Sequence, residues 1–133
     1  MKPIQVGLLG IGTVGSGTFN VLRRNQEEIR GRAGRGIEIA MVADLNAERA
    51  REVVGDLTQA IRPYSLDALT AALQPGDIAV SMLPADQHVG IARTCLAAGA
   101  HFVSSSYIAP EMKALDDDFR AKGLCSVNEV GLD

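Results

Sequence analysis

The string Gly10-Ile11-Gly12-Thr13-Val14-Gly15 places glycines in a G-x-G-x-x-G spacing directly after an apolar run and directly before a helical pattern. That context gives each glycine a separate job. Gly10 permits a tight turn, Gly12 lets a diphosphate approach the backbone, and Gly15 lets the following helix pack closely on the strand. Thr13 and Val14 then supply first-turn amide hydrogens at the positive end of the helix dipole, where phosphate is favoured. The chemistry expected is the binding of a nicotinamide dinucleotide. The alternative is a tight strand-to-helix turn with no ligand.

Asp44 closes the next apolar run, Ile37 to Ala43. An acidic side chain there can accept hydrogen bonds from both hydroxyls of an adenosine ribose, which favours NAD over NADP. Its distance from the glycines exceeds the usual offset of roughly 20 residues, an excess assigned to a long first helix and the RGRAGRG segment (residues 30–36). Asp44 can equally serve as a cap before the next helix. Arg49, and less directly Arg51, lie one turn into that helix and can meet a 2′-phosphate, so NAD and NADP both stay open. Arg30, Arg32 and Arg35 are expected on a solvated loop at the opposite edge of the sheet. Further polar groups gather at later strand ends: Ser105, Ser106, Tyr107, Asn128, Glu129 and Asp133 can hydrogen-bond a nicotinamide amide or a polar substrate, or simply cap. His88 reads as a surface or capping residue and His101 has no assigned role. No metal-ligand cluster and no G-x-S-x-G elbow are present in the sequence.

These residues need a scaffold that brings strand ends together. Short apolar runs alternate with helical patterns, as expected for a parallel sheet with crossover helices. The runs are Ile4–Leu9, Ile37–Ala43, a weak one at Ala60–Arg62, Ile78–Leu83, one opening at His101–Val103 and one at Leu124–Val127. Between them lie one helix from Val14 to Ile29, helices over 46–54 (N-cap Asn46), 66–73 (N-cap Ser65) and 89–98, and one from Pro110 to Gly123. The expectation is a doubly wound α/β sheet, a Rossmann domain of six parallel strands ordered 3-2-1-4-5-6, occupying residues 1–133. Ligands of such sheets bind beyond the carboxyl ends of the strands, at the switch point between the first and fourth. The last strand has no helix after it, which suggests a cut through a longer protein.

Composition narrows the partners. With 133 residues, 47% hydrophobic and 22% charged, the chain has the make-up of one ordinary globular domain. A net charge of −3 without a basic block disfavours nucleic acid and anionic membranes. No apolar stretch approaches the roughly 20 residues of a membrane span. Isolated Cys95 and Cys125 and the absence of an export-type start point to reduced thiols in a cytoplasm.

From about Gln74 onward the chain resembles the saccharopine dehydrogenase family, specifically its glutamate-forming reductase branch. The resemblance is carried in order by Leu83-Pro84, the His88…Ala92 spacing, Ser105-Ser106-Tyr107 with Pro110-Glu111-Met112 and Ala114-Leu115-Asp116, and Asn128-Glu129 with Gly131-Leu132-Asp133. From Met1 to about Asp44 the chain is more similar to homoserine dehydrogenase. Both families join a Rossmann NAD(P) domain to a substrate domain and act on amino acids. The saccharopine resemblance implies that Leu83, Pro84 and Ala85 lie along cofactor and substrate. It also implies that Ser105, Ser106 and Tyr107 line the nicotinamide–substrate cleft, that Asp133 approaches the bound amino acid, and that NADP is the usual cofactor. It implies hydride transfer to or from an imine of an amino acid, a small amino-acid substrate as the second partner, and no turnover from this chain alone, since the catalytic domain follows. Homo-oligomerisation stays open. Two other readings are a non-catalytic nucleotide-sensing module and an S-adenosylmethionine domain built on the same glycine turn.

Overall fold

The near-continuous apolar run Ile4–Leu9 forms the central strand of a sheet covered on both faces, as such runs do in parallel sheets. The computed structural model describes residues 2–55 and 61–130. Along the chain run β1 (Ile4–Leu9), α1 (Thr13–Arg24), α2 (Gln26–Ala33), β2 (Ile37–Asp44), α3 (Ala47–Val54), β3 (Ile61–Pro63) and α4 (Leu66–Ala72). They are followed by β4 (Ile78–Ser81), α5 (His88–Ala98), β5 (His101–Ser104), α6 (Pro110–Lys113), α7 (Asp116–Ala121) and β6 (Ser126–Val127). All pairings are parallel and the order is β3-β2-β1-β4-β5-β6, a Rossmann-like sheet. β1 lies between β2, in register Ile4 with Ile37, and β4, in register Val6 with Ile78. The outer strands are short, three residues in β3 and two in β6.

Two apolar layers hold the sheet. On one side Leu8, Ile11, Phe19, Val42, Ala50 and Val54 join α1 and α3 to β1 and β2. On the other, Leu9, Leu69, Ile91, Cys95, Phe102, Met112 and Phe119 join α4 to α7 to the sheet. The helices therefore change faces between the first and second halves of the chain. Fully burying side chains such as Phe102 and Phe119 stabilises by about 1.5–3 kcal/mol each.

The first crossover departs from the single helix expected over Val14 to Ile29. It breaks at Asn25, whose φ of −102° and ψ of 27° leave the helix. The Asn25 side-chain amide donates back to the Val21 carbonyl at 3.0 Å, beside the backbone bond from the same residue at 3.1 Å. Arg30 and Arg32 consequently belong to α2, not to a loop, and Arg32 pairs with Glu28 at 2.8 Å on the exposed surface. Arg35 donates to the Lys2 carbonyl through Nε and Nη2 at 2.9 and 2.7 Å, so it ties down the start of the chain. The helix expected from Pro110 to Gly123 likewise divides into α6 and α7 at Ala114-Leu115. Strand β4 stops two residues before its apolar run, at Ser81, and Met82 and Leu83 belong to the turn of the site. Asn46 and Ser65 cap as expected, each side-chain oxygen accepting the third amide onward at 3.0 Å. Ala60, expected in the third strand, lies outside the described residues.

Candidate functional site

The turn from β1 into α1 is built so that two of its glycines cannot be replaced and one can. Gly10 has a φ of +92°, and a Cβ there would sit 2.7 Å from the Met82 carbonyl group and 2.8 Å from the Leu83 nitrogen. At Gly15 a Cβ would collide with the Gly10 carbonyl and press on Met82. These two contacts seat the turn against the end of β4 and draw α1 onto β1. At Gly12 a Cβ would meet nothing within 4 Å. The bare position therefore faces open space, a cradle that a side chain would fill.

Helix α1 begins there. Gly12 is its N-cap without a side-chain cap, and the first turn carries no acidic residue. The amides of Thr13, Val14 and Gly15 precede the first i→i−4 bond, from Ser16 to Gly12, so they are donors without a helical partner. Thr13 and Val14 are exposed. An open backbone, unpaired amides and a positive dipole end with no acidic residue in its first turn fit a diphosphate.

Asp44 stands at the carboxyl end of β2 beside this turn, where the sequence places it. Its carboxylate already has structural work: Oδ2 accepts the Ile11 amide at 2.7 Å and Oδ1 accepts the Asn46 amide at 2.8 Å. The carboxylate thus braces the glycine turn and starts α3, combining the capping reading with the position of the ribose reading. A carboxylate has about four acceptor sites, so two remain for a ligand. Arg49 is exposed in the first turn of α3.

The ends of β4 and β5 complete the same edge. Leu83 is buried, while Pro84 and Ala85 are exposed on the way into a single 3-10 turn, Ala85–Gln87, that leads to α5. Met82, absent from the sequence-based candidates, links the parts: its backbone contacts Gly10, its side chain faces Gly15, and Ser105 Oγ lies 4.0 Å from its sulfur. Ser105 and Ser106 are half-buried and Tyr107 is 80% exposed. Glu129 fastens this turn, accepting the Ile108 amide on Oε1 at 3.0 Å and donating its own amide to the Ser106 carbonyl at 3.1 Å. It does so at a φ of 61°, a left-handed conformation uncommon outside glycine. Asn128 turns to Ser126 instead, at 3.2 Å. Asp133 lies outside the described residues.

His88 corrects the surface reading. It is buried, with Nδ1 2.8 Å from Ser81 Oγ, Nε2 2.8 Å from Ser106 Oγ, and its ring edge-on to Phe102. Desolvation pushes its pKa below the ordinary histidine value, against a smaller upward pull from the Asp86 carboxylate. Ser81, seven residues earlier at the end of β4, was the available sequence signal, but only the fold shows that α5 turns the ring inward. Cys95 is buried, its thiol pushed up to about 12 by desolvation, and Cys125 is exposed. Among the described residues no group of side chains could hold a metal ion and no helix is long and apolar enough to cross a membrane.

Comparison with known proteins places the chain among dehydrogenase cofactor domains by sequence and fold. The chain is 71% identical over 55 residues to a homoserine dehydrogenase of Methylobacillus glycogenes, 41% of this chain and 13% of that protein. It is 30% identical over 138 residues to the saccharopine dehydrogenase [NADP(+), L-glutamate-forming] of Pyricularia oryzae, 100% of this chain and 28% of that protein. The solved apo saccharopine dehydrogenase (L-Glu forming) of Saccharomyces cerevisiae superposes with a TM-score of 0.79 at 26% identity, over 98% of this chain and 28% of that one. The chain thus spans under a third of the length of these relatives. The family model described as saccharopine dehydrogenase NADP binding domain matches residues 6–127, and the chain belongs to that family.

Proposed function

We propose that residues 1–133 are the nicotinamide-dinucleotide-binding domain of an amino-acid oxidoreductase of the saccharopine dehydrogenase type. The observation that carries this reading is the contrast within the glycine turn: Gly10 and Gly15 are closed by protein backbone, and Gly12 is open. The amides of Thr13, Val14 and Gly15 would hold the diphosphate, Asp44 the adenosine ribose, and the Leu83–Ala85 and Ser105–Tyr107 turns the nicotinamide and its substrate. When bound, the dinucleotide supplies hydride transfer at nicotinamide C4, and the protein supplies position and electrostatics. Asp44 repels a 2′-phosphate while Arg49 attracts one, so the balance between these two side chains selects NAD or NADP.

The deciding experiment titrates the purified chain with NADH, NADPH and S-adenosylmethionine, followed by nicotinamide fluorescence and calorimetry. Saturable binding of a reduced dinucleotide is expected, and a preference for S-adenosylmethionine would end the reading. The chain alone is expected to bind without turnover.

Homoserine dehydrogenase is the second reading for the whole protein, favoured by the 71% identity over 55 residues. There the hydride would reduce an aldehyde to an alcohol, whereas in the saccharopine case it reduces an imine between glutamate and a semialdehyde. Assaying the full-length protein with homoserine and with saccharopine separates the two.

A further inference from the structure

The carboxyl ends of β4 and β5 carry three buried or half-buried hydroxyls around one imidazole, where an apolar core would avoid the cost of desolvating polar groups. Ser81 and Ser104 are both fully buried, and Ser106 stands at the opening. Ser106 is held at each of its polar atoms. Its amide donates to Ser104 Oγ at 3.0 Å, its carbonyl accepts the Glu129 amide at 3.1 Å, and its hydroxyl meets His88 Nε2 at 2.8 Å. On the far side of the ring, Nδ1 is 2.8 Å from Ser81 Oγ, which closes the series inside the core.

A neutral imidazole has one donor and one acceptor nitrogen. With the proton on Nδ1, the ring donates to Ser81 and accepts from Ser106, whose lone pairs are left to accept from a ligand. With the proton on Nε2, the ring donates to Ser106, whose hydroxyl proton is free for a ligand carbonyl. Ser106 can therefore answer either half of a primary carboxamide while the imidazole keeps a hydrogen bond at each of its nitrogens. We propose that His88 is a positioning residue, clamped by Ser81, that aims the Ser106 hydroxyl into the crevice to receive the carboxamide of the nicotinamide ring. This inference rests on the dinucleotide-binding reading above. It adds a residue of α5 that does not itself face the ligand.

The test uses the whole chain with NADH and with ADP, which lacks the nicotinamide. In the wild-type protein, long-range 15N–1H spectra of the imidazole should shift with NADH and stay fixed with ADP, while the glycine-turn amides respond to both. Ser106→Ala and His88→Phe should each weaken NADH by about tenfold, the scale of one hydrogen bond, and leave ADP within about twofold. The double variant should be no weaker than either single one, because both remove the same interaction. His88→Gln, which can still meet Ser106, should recover part of the loss. Unchanged NADH affinity in Ser106→Ala, additive losses in the double variant, or an imidazole that ignores NADH while the glycine turn responds would overturn the assignment and leave the dinucleotide reading standing. Should His88→Phe not fold, Ser106→Ala and the wild-type spectra still decide. Silence of the glycine-turn amides toward both ligands would remove the dinucleotide reading and this inference together.

Discussion

At Gly12 a Cβ would meet nothing of the protein within 4 Å, whereas at Gly15 a Cβ would run into the Gly10 carbonyl. The two positions should therefore separate affinity from stability. Gly12→Val is expected to abolish NADH binding with a melting temperature close to wild type, since the side chain occupies only ligand space. Gly15→Ala should instead destabilise by about 1–3 kcal/mol, because neither α1 nor the turn can yield without breaking contacts with β4. Calorimetric melts beside fluorescence titrations would check both, and a wild-type affinity in Gly12→Val would remove the diphosphate from this turn. Asp44→Ala should cost about 1–3 kcal/mol by leaving the Ile11 amide without its acceptor, so its cofactor preference must be read at a temperature where it is folded. His88 makes stability depend on pH. Its folded pKa is depressed, so the unfolded chain binds the proton more readily. The contribution is complete above the ordinary histidine value of about 6.5 and is lost as pH falls through the lower folded value. Thermal melts between pH 7.5 and 5 should show a steeper decline for wild type than for His88→Gln. Equal declines would mean that the ring is not held neutral. The glycine turn was legible from residue types, because glycine is favoured at a positive φ and has no Cβ to block a backbone-to-backbone approach. His88 was not, because a histidine at a helix start carries no sign of which way its ring turns.

Among the elements, the helix starts were the clearest in the sequence and the helix interiors the least. Asn46 and Ser65 cap α3 and α4 through bonds between near neighbours, a local matter that residue type decides. Replacing either by alanine should cost about 1 kcal/mol, seen as a shift in urea midpoint without a change in slope. A change in slope would show that the cap does more than start a helix. The break at Asn25 was hidden, because the apolar spacing of Val14, Val21, Leu22 and Ile29 continues across it. Asn25 leaves the helical conformation there, with its side chain bonded back to the Val21 carbonyl. Strand β4 also ended early. The apolar run 78–83 outlasts β4 because Met82 and Leu83 turn to close over Gly10, a requirement imposed by the neighbouring strand.

For the molecule as a whole, the arrangement predicts a linkage between ligand and fold. Because the proposed site joins the ends of β1, β2, β4 and β5, a bound dinucleotide would hold both halves of the sheet. NADH at a hundredfold excess over its Kd should stabilise the chain by about 2.7 kcal/mol. The thermal shift should vanish in Gly12→Val, and a shift that survives there would mean binding elsewhere. The sequence by itself determined the parallel α/β class, the glycine turn and the capped helix starts, because each depends on residue type and on spacing within a few positions. The tertiary structure alone decided that Asp44 braces Ile11, that Met82 links the glycine turn to Ser105, and that His88 joins Ser81 to Ser106. Those partners are separated in the sequence, Asp44 and Ile11 by 33 residues, and the stacking of parallel strands, with their carboxyl ends on one edge, brings them within hydrogen-bond or van der Waals reach.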